Sequence, residues 1–198
     1  MEPQTFSLEN KLLVATPAMR DPRFSRTVIY MCTHSEDGAM GIVINRAKRT
    51  GDGERVHLSD LLDQIGVEGD VRVADTPVLA GGPVDMDRGF VLHSLDYQTP
   101  ETTMPLSDTL ALTSTKDVLA ALVTDAAPSR AVLAVGYAGW GAGQIEGELA
   151  ENGWVVCEPE ADLVDALVFG GDLSAKWSEA LAGIGIDAAG LSARSGRA

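Results

Sequence analysis

The side chains in this sequence that are best suited to catalysis are two histidines and a cysteine. Cys32 and His34 stand two positions apart in a run predicted to be a β-strand. Alternate residues of a strand point to the same face, about 6.5 Å apart along it, so this spacing suits a thiolate–imidazolium pair. The neighbours of Cys32 are apolar, however, and a buried cysteine usually serves as inert packing. An enzyme interpretation would use His34 or His93 as general acid or base, with Cys32 or Asp21 as its partner.

A glycine-rich segment at 136–144 follows a predicted strand and precedes a predicted helix. Its context resembles a phosphate-binding loop, but Gln144 and Ile145 stand where a Walker loop needs Lys and then Ser or Thr. The glycine spacing of a dinucleotide loop also fails, because Gly139 and Gly141 are followed by Gln144 instead of a third glycine. Two interpretations remain: free amides at a helix N-terminus that hold an anion or carbonyl, and glycines that permit a tight turn.

Metal-ligand and carboxylate patterns are weak. Apart from the Cys32/His34 couple, no close-spaced pair typical of a zinc site occurs. Glu146 and Glu148 are two positions apart, about 200° around a helix, so they are not expected to converge. Glu148 and Glu151 share a helix face, as solvated acids often do. The sequence therefore predicts no metal, no cofactor and no identified catalytic residue.

The charge of the chain argues against direct contact with nucleic acid. A net charge of −14 over 198 residues repels phosphate backbones, and no helix carries a basic face. Residues 20–55 are mildly basic, with seven basic and five acidic side chains, which favours an anionic ligand. No apolar run reaches the roughly 18 residues of a membrane span, and no signal pattern precedes residue 12. We expect a cytoplasmic protein whose two cysteines are reduced.

Hydrophobic patterns predict more strands than helices. Strands are expected at 12–15, 27–33, 40–44, 72–74, 78–80, 89–93, 109–113, 131–137, 154–157 and 163–169. Helices are expected after Ser59, after Ser114 or Thr115, around 145–149, and after Ser174. Consecutive strands argue for an α+β fold and against regular βαβ alternation. With no repeat and no linker, residues 1–186 are expected to form one domain, followed by a flexible tail at 187–198.

Seven motifs of this sequence, in their order and spacing, resemble those of the bacterial AlgH/YqgE family. The motifs are LLVATP at 12–17, DPxF at 21–24, HxxxGAMGxxxN at 34–45, GGPV at 81–84, GFxLH at 89–93, GYAGWxxGQxE at 136–146, and Trp154. The resemblance extends from about Leu12 to Gly185. Gly147 is a minor departure, since acidic residues are common at this place in the family.

The resemblance implies an α+β fold in which a bifurcated, mostly antiparallel sheet curls into a pseudo-barrel with flanking helices. It also implies a cytoplasmic bacterial protein, from a family described as transcriptional regulators and linked in some members to alginate production. It brings no established activity and no catalytic residues. Because the chain is acidic, we expect regulation through a small ligand or a protein partner and not through DNA contact.

Eight motif residues form the predicted binding site. They stand at predicted strand ends and turns, where curled strands bring side chains towards one cleft. The eight are Asp21, His34, Asn45, Gly82, His93, Tyr137, Trp140 and Gln144. Aromatic, amide and imidazole groups together suit a small polar or anionic ligand. Structural roles are the alternative, such as a turn cap for Asn45 or a core position for Trp140, and self-association through a sheet edge is a third interpretation.

Overall fold

The computed structural model of the protein describes residues 6–158, 160–170 and 172–188. Within this part of the chain, the strands are β1 (Leu12–Ala15), β2 (Val28–Ser35), β3 (Gly38–Val43), β4 (Leu79–Ala80), β5 (Val84–Ser94), β6 (Thr103–Pro105), β7 (Leu110–Thr113), β8 (Ala131–Gly141) and β9 (Trp154–Cys157). The α-helices are α1 (Leu58–Gln64), α2 (Lys116–Ala121), α3 (Gln144–Ala150), α4 (Ala161–Phe169) and α5 (Lys176–Ala182). A short 3-10 helix spans Pro22–Phe24. None of the described helices is long and apolar enough to cross a membrane.

The sheet branches at β8. Its strand order is β6-β7-β5-β8-β3-β2-β1-β9, with antiparallel neighbours throughout, and β4 joins β8 in parallel. Residues 131–137 of β8 pair with β5, whereas residues 138–141 pair with β3. The sheet curls into a half-barrel flanked by the five helices. This geometry confirms the α+β class and the bifurcated, mostly antiparallel curled sheet that the resemblance implied.

Strands β1 and β2 are buried on both faces, as their continuous apolar runs predict. Alternate residues enter opposite clusters: Tyr30 packs with α4 and α5, while Ile29 packs on the α3 side with Ile145. A third cluster holds α1 and α2 against β5 and β8. The strands predicted at 27–33 and 40–44 are confirmed as the antiparallel pair β2–β3, and Gly38 takes a φ of +143° at the turn between them.

Two strand predictions are wrong. Residues 72–74 are irregular, and the Arg72 N–H donates to the Leu122 carbonyl at 2.8 Å. Residues 163–169 belong to α4, because Val164, Leu167 and Val168 recur at helical spacing and are buried together.

Helix starts differ slightly from prediction, and one strand was not predicted. Helix α1 begins after His57 instead of Ser59, and the Asp60 carboxylate accepts the His57 N–H at 3.1 Å. Helix α5 begins after Ala175, one residue beyond Ser174. The short strand β6 had no prediction, and most of the tail predicted at 187–198 lies outside the described residues.

Candidate functional site

A cleft of about 330 Å³ opens between the loop at 18–24, the end of β8, and α3. We call it the α3 cleft. Its apolar lining includes Met19, Phe24, Val84 and Trp140. Its polar lining is given by Arg20, Asp21, Arg23, Gln144, Glu148 and Glu151. The volume lies at the lower end of the range for small-molecule sites, which is about 300–1,000 Å³.

Glu148 is the centre of the hydrogen bonds in the α3 cleft. Its Oε2 accepts the indole N–H of Trp154 at 2.7 Å and that of Trp140 at 3.1 Å, while its Oε1 accepts the Gln144 amide at 3.1 Å. The two indole rings pack edge to face with centroids 6.2 Å apart. Hydrogen bonds to an ionised carboxylate are stronger than neutral ones, so this network fixes α3 against the aromatic wall.

Two arginine–carboxylate pairs line the rim of the cleft. Asp21 accepts the Arg23 backbone N–H at 2.9 Å and the Arg23 guanidinium at 2.7 to 3.1 Å. These hydrogen bonds hold the pKa of the Asp21 carboxyl below its usual value. Arg20 is held much less firmly, since its side chain is 89% exposed and reaches Glu151 only at 3.8 Å. An exposed pair of this length contributes little stability, so the Arg20 guanidinium is free to meet a ligand.

The structure brings three of the eight predicted residues into the α3 cleft: Asp21, Trp140 and Gln144. Tyr137 lies in an adjoining open groove of about 520 Å³ that also touches Trp140. Gly82 lines neither of them, but its backbone, with a φ of +155°, packs against β8 at Tyr137. A Cβ on Gly82 would lie 2.0 Å from the Tyr137 carbonyl carbon, so the contact requires glycine.

His34 lies outside the cleft, although it binds the helix that forms one wall. Its Nε2 is 2.8 Å from Glu146 Oε1, and its Nδ1 accepts the Leu8 N–H at 3.2 Å. With Nδ1 acting as acceptor, the proton belongs on Nε2, which then donates to Glu146. The Glu146 backbone N–H and His34 together lower the pKa of the Glu146 carboxyl. His34 therefore ties β2 to α3.

Asn45 and His93 have structural partners away from the α3 cleft. The Asn45 side chain accepts the Val28 N–H at 2.8 Å and donates to the Arg26 carbonyl at 2.9 Å. His93 is fully buried, with Nδ1 2.9 Å from the Ser94 carbonyl and Nε2 2.9 Å from the Thr113 hydroxyl. Burial lowers the pKa of His93, consistent with a neutral ring that links β5 to β7.

The same-face arrangement predicted for Cys32 and His34 is wrong, because a β-bulge separates them. The register of β2 against β3 shifts at Cys32, which is an extra residue between two paired segments. His34 consequently lies opposite Ala39 on the sheet face that α3 covers, whereas Cys32 packs on the α4/α5 face. Burial also raises the pKa of the Cys32 thiol to about 12.

Residue patterns alone do not single out the charged side chains that line the cleft. In the sequence, Arg20 and Arg23 are part of a mildly basic segment, and Glu148 and Glu151 have the spacing of ordinary solvated acids. The spacing of Gln144 and Glu148 on α3 and of Glu151 at its C-cap is a usable signal, since these positions share one helix face. In the described ranges, no three His, Cys, Asp or Glu side chains are grouped closely enough to hold a metal ion.

These features define an α+β half-barrel protein with a polar cleft, walled by aromatic rings, beside α3. A family model described as AlgH-like matches residues 12–189. The chain therefore belongs to the AlgH-like family, as its sequence motifs indicated.

Relatives and solved structures agree with this assignment. UPF0301 proteins of Caulobacter vibrioides and Paracoccus denitrificans are 44% identical over 192 residues and 43% identical over 197 residues. The first match covers 96% of this chain and 94% of the Caulobacter protein. The second covers 98% of this chain and 99% of the Paracoccus protein. The solution structure of the AlgH protein from Pseudomonas aeruginosa superposes with a TM-score of 0.74 at 35% identity, covering all of both chains. A crystal structure of protein DIP2367 from Corynebacterium diphtheriae shares the fold, with a TM-score of 0.67 at 18% identity, over 91% of this chain and 88% of that one.

Proposed function

We propose that this protein is a regulatory binding domain that takes a small polar ligand in the α3 cleft. The observation that carries the proposal is the convergence there of an aromatic wall, the Gln144 amide and the loosely held Arg20 guanidinium. A ligand with a planar or apolar part would contact Trp140 and Phe24. Its polar or anionic part would meet Arg20 at the rim.

The internal hydrogen bonds of the cleft support this proposal. Gln144 accepts the Gly141 N–H at 3.1 Å and donates to Glu148, so its amide is held in one orientation with a further N–H and lone pair unused. Glu148 is held in turn by two indoles. A site whose groups are already fixed loses less conformational entropy when a ligand binds.

Binding is favoured over the catalytic alternative by the state of the candidate catalytic groups. Both ring nitrogens of His34 and of His93 already have hydrogen-bond partners. The Cys32 thiol, with its raised pKa, is no ready nucleophile. Asp21 is committed to Arg23. None of these residues is therefore poised as the general base or nucleophile that the alternative needs.

The proposal is tested by screening inorganic phosphate, free amino acids and nucleoside monophosphates against the protein. Thermal unfolding reports binding, since a ligand at a hundred times its Kd adds about 2.7 kcal/mol of stability. Tryptophan fluorescence in a Trp177→Phe background reports on the cleft, because the remaining tryptophans are the two that bind Glu148. We expect at least one class of probe to shift both signals.

Arg20→Ala and Arg72→Ala form a matched pair of variants for this screen. Arg72 is also an exposed arginine in a long ion pair, 3.6 Å from Asp125, and it is not among the cleft-lining residues. Arg20→Ala is expected to weaken binding about tenfold, or about 1.4 kcal/mol, while Arg72→Ala leaves it unchanged. The proposal fails if no probe binds, or if both variants bind equally well. A pull-down that depends on Arg20 without any small ligand would indicate a protein partner instead.

A further inference from the structure

A second concave site lies further along the β5–β8 pair. The α3 cleft lies at the last residues of β8, whereas this site lies at Leu133 and Val135 of the same strand. This groove of about 570 Å³ is bounded by the end of α1, the first half of β5 and the start of α2, and β8 forms its floor. We call it the cationic groove. The residues that carry the argument below are Lys48, Ile65, Met86, Arg88, Thr115 and Lys116.

The floor and one rim of the cationic groove are apolar. Val91 and Leu133 form a buried base, and Leu119 of α2 contributes a half-buried side. Ile65 and Met86 are respectively 51% and 61% exposed, two of the few large hydrophobic side chains that are exposed in the described chain. Apolar surface that is left open next to a buried base is typical of a binding groove.

Positive charge gathers at the groove although the chain as a whole is strongly acidic. Three cations line it, Lys48, Arg88 and Lys116, against one acid, Asp87, so the lining sums to +2 in a chain of net charge −14. No ion pair involves any of the three cations within the described ranges. The α3 cleft differs, because Arg23 is held by Asp21, Arg20 has a long, exposed contact with Glu151, and its three acids outnumber its two arginines.

A buried hydroxyl in the groove also lacks a partner. The Oγ1 of Thr115 is inaccessible to solvent and has no hydrogen bond to any residue that the structure describes. It stands beside Ser114, whose Oγ accepts from Arg88 at 2.9 Å. Because the Thr115 oxygen is closed to solvent, an anion in the groove is expected to meet the Arg88 guanidinium, which has N–H donors beyond the one that Ser114 accepts.

We propose that the cationic groove binds a free amphipathic anion: a small carboxylate with an apolar tail. The tail would lie on the exposed Ile65 and Met86 and the half-buried Leu119, and the carboxylate would meet the cations at the rim. A free molecule is favoured over a lipid that stays in a bilayer, because a chain of this net charge is repelled by anionic membrane surfaces. The groove volume falls within the range of small-molecule sites.

Decanoate below its critical micelle concentration is the probe. Acetate presents the same headgroup without the tail, and decylammonium presents the same tail with the opposite charge. We expect methyl NMR shifts at Ile65, Met86 and Leu119 with decanoate, weaker binding as salt concentration rises, and no binding of the other two compounds. Equal binding of decanoate and decylammonium would overturn the proposal, because it would show that the tail alone is recognised.

Variants separate the charge from the apolar surface. Arg88→Gln combined with Lys116→Gln is expected to weaken decanoate binding at least tenfold, while Arg20→Gln in the α3 cleft leaves it unchanged. Met86→Ser tests the apolar rim by a change at an exposed position that does not threaten folding, and Met104→Ser is its matched control at another exposed methionine. Unchanged affinity in both groove variants would refute the site. Since the α3 cleft is not involved, either proposal can fail without the other.

Discussion

A buried lysine makes the stability of this protein depend on pH in a predictable direction. Lys176 opens α5 and is only 2% exposed. Its Nζ donates to the Ile44 carbonyl at 2.9 Å and to the Val168 carbonyl at 3.3 Å, near the C-terminus of α4. No carboxylate forms an ion pair with it within the described ranges. Burial lowers the pKa of Lys176 to about 8, against a smaller opposing effect of Glu179.

The direction in which the free energy of unfolding changes with pH follows from which state, folded or unfolded, keeps the Lys176 proton. Between pH 8 and the ordinary lysine pKa of 10.5, the unfolded chain keeps a proton that the folded protein has released. The free energy of unfolding therefore gains a contribution that increases with pH through this window. Below pH 8 both states are protonated, and the folded protein bears the full cost of burying the charge. The whole change is about 3 kcal/mol, at 1.36 kcal/mol for each pKa unit.

Lys176→Met removes this titration while keeping a long apolar side chain. Urea unfolding followed by tryptophan fluorescence, at intervals from pH 7 to 10.5, gives the free energy of unfolding of both proteins. We expect the wild-type value minus the variant value to rise by about 3 kcal/mol across this range. The two carbonyls that lose their donor add a cost to the variant, but that cost is independent of pH.

Other groups titrate in the same range and have to be separated from Lys176. Burial raises the pKa of Cys32 to about 12 and that of Cys157 to about 11, so both thiols make stability fall as pH rises. Because they are present in both proteins, their effect cancels in the difference. Lys116→Met removes an exposed ammonium and controls for the loss of one charge. A difference that stays flat or falls with pH for Lys176→Met would refute the reasoning.

Three further predictions concern the cleft and the core. Gly82→Ala is expected to lower the free energy of unfolding by several kcal/mol, because its Cβ would overlap β8. Gly51→Ala is the control: its Cβ would have no heavy atom within 4 Å, so the free energy of unfolding should change by less than about 0.5 kcal/mol. Equal urea midpoints for the two variants would contradict this prediction. Glu148→Ala leaves two buried indole donors unpaired, so it is expected to lower the free energy of unfolding, measured in urea, by about 2–4 kcal/mol. Glu148→Gln is expected to lower it by about half as much. Similar costs for both would contradict this prediction, since Glu148→Gln keeps the shape of the side chain and one acceptor oxygen. Cys32 and Cys157 are expected to react with a thiol reagent at pH 8 no faster than the protein opens; labelling at the rate of an unfolded peptide would disprove their burial.

Continuous apolar runs made the central strands predictable. Alternate residues of the run at 28–32 belong to two different buried clusters, so neither face of this strand is polar. A continuous apolar run of this kind still predicts a strand, one that is buried on both faces. The run at 163–169 has the same apolar character but is a helix. Val164, Leu167 and Val168 fit the helical period, and Asp165 between them carries an ion pair with Arg130. Short apolar runs of this length leave strand and helix ambiguous until neighbours are known.

The bulge at Cys32 shows why the candidate site was only partly predictable. Residue spacing alone puts Cys32 and His34 on one face, and one extra residue reverses that relation. Nothing in the local sequence marks the insertion, because it depends on how β2 pairs with a strand beyond the turn. The motif residues Asp21, Trp140 and Gln144 were found by their association in the family pattern, and not by any rule that places them together.

The α3 cleft itself exists because two distant segments are joined at the edge of the sheet. Ala15 at the end of β1 pairs with Trp154 at the start of β9, and Thr16 donates its hydroxyl to the Asn152 carbonyl at 2.6 Å. This pairing fixes the loop at 18–24 beside the C-terminal end of α3, since α3 leads directly into β9. The arginine rim and the Glu148 network therefore meet through a contact between residues more than a hundred positions apart. Sequence periodicity describes each wall of the cleft, but only the β1–β9 register determines that the walls face each other.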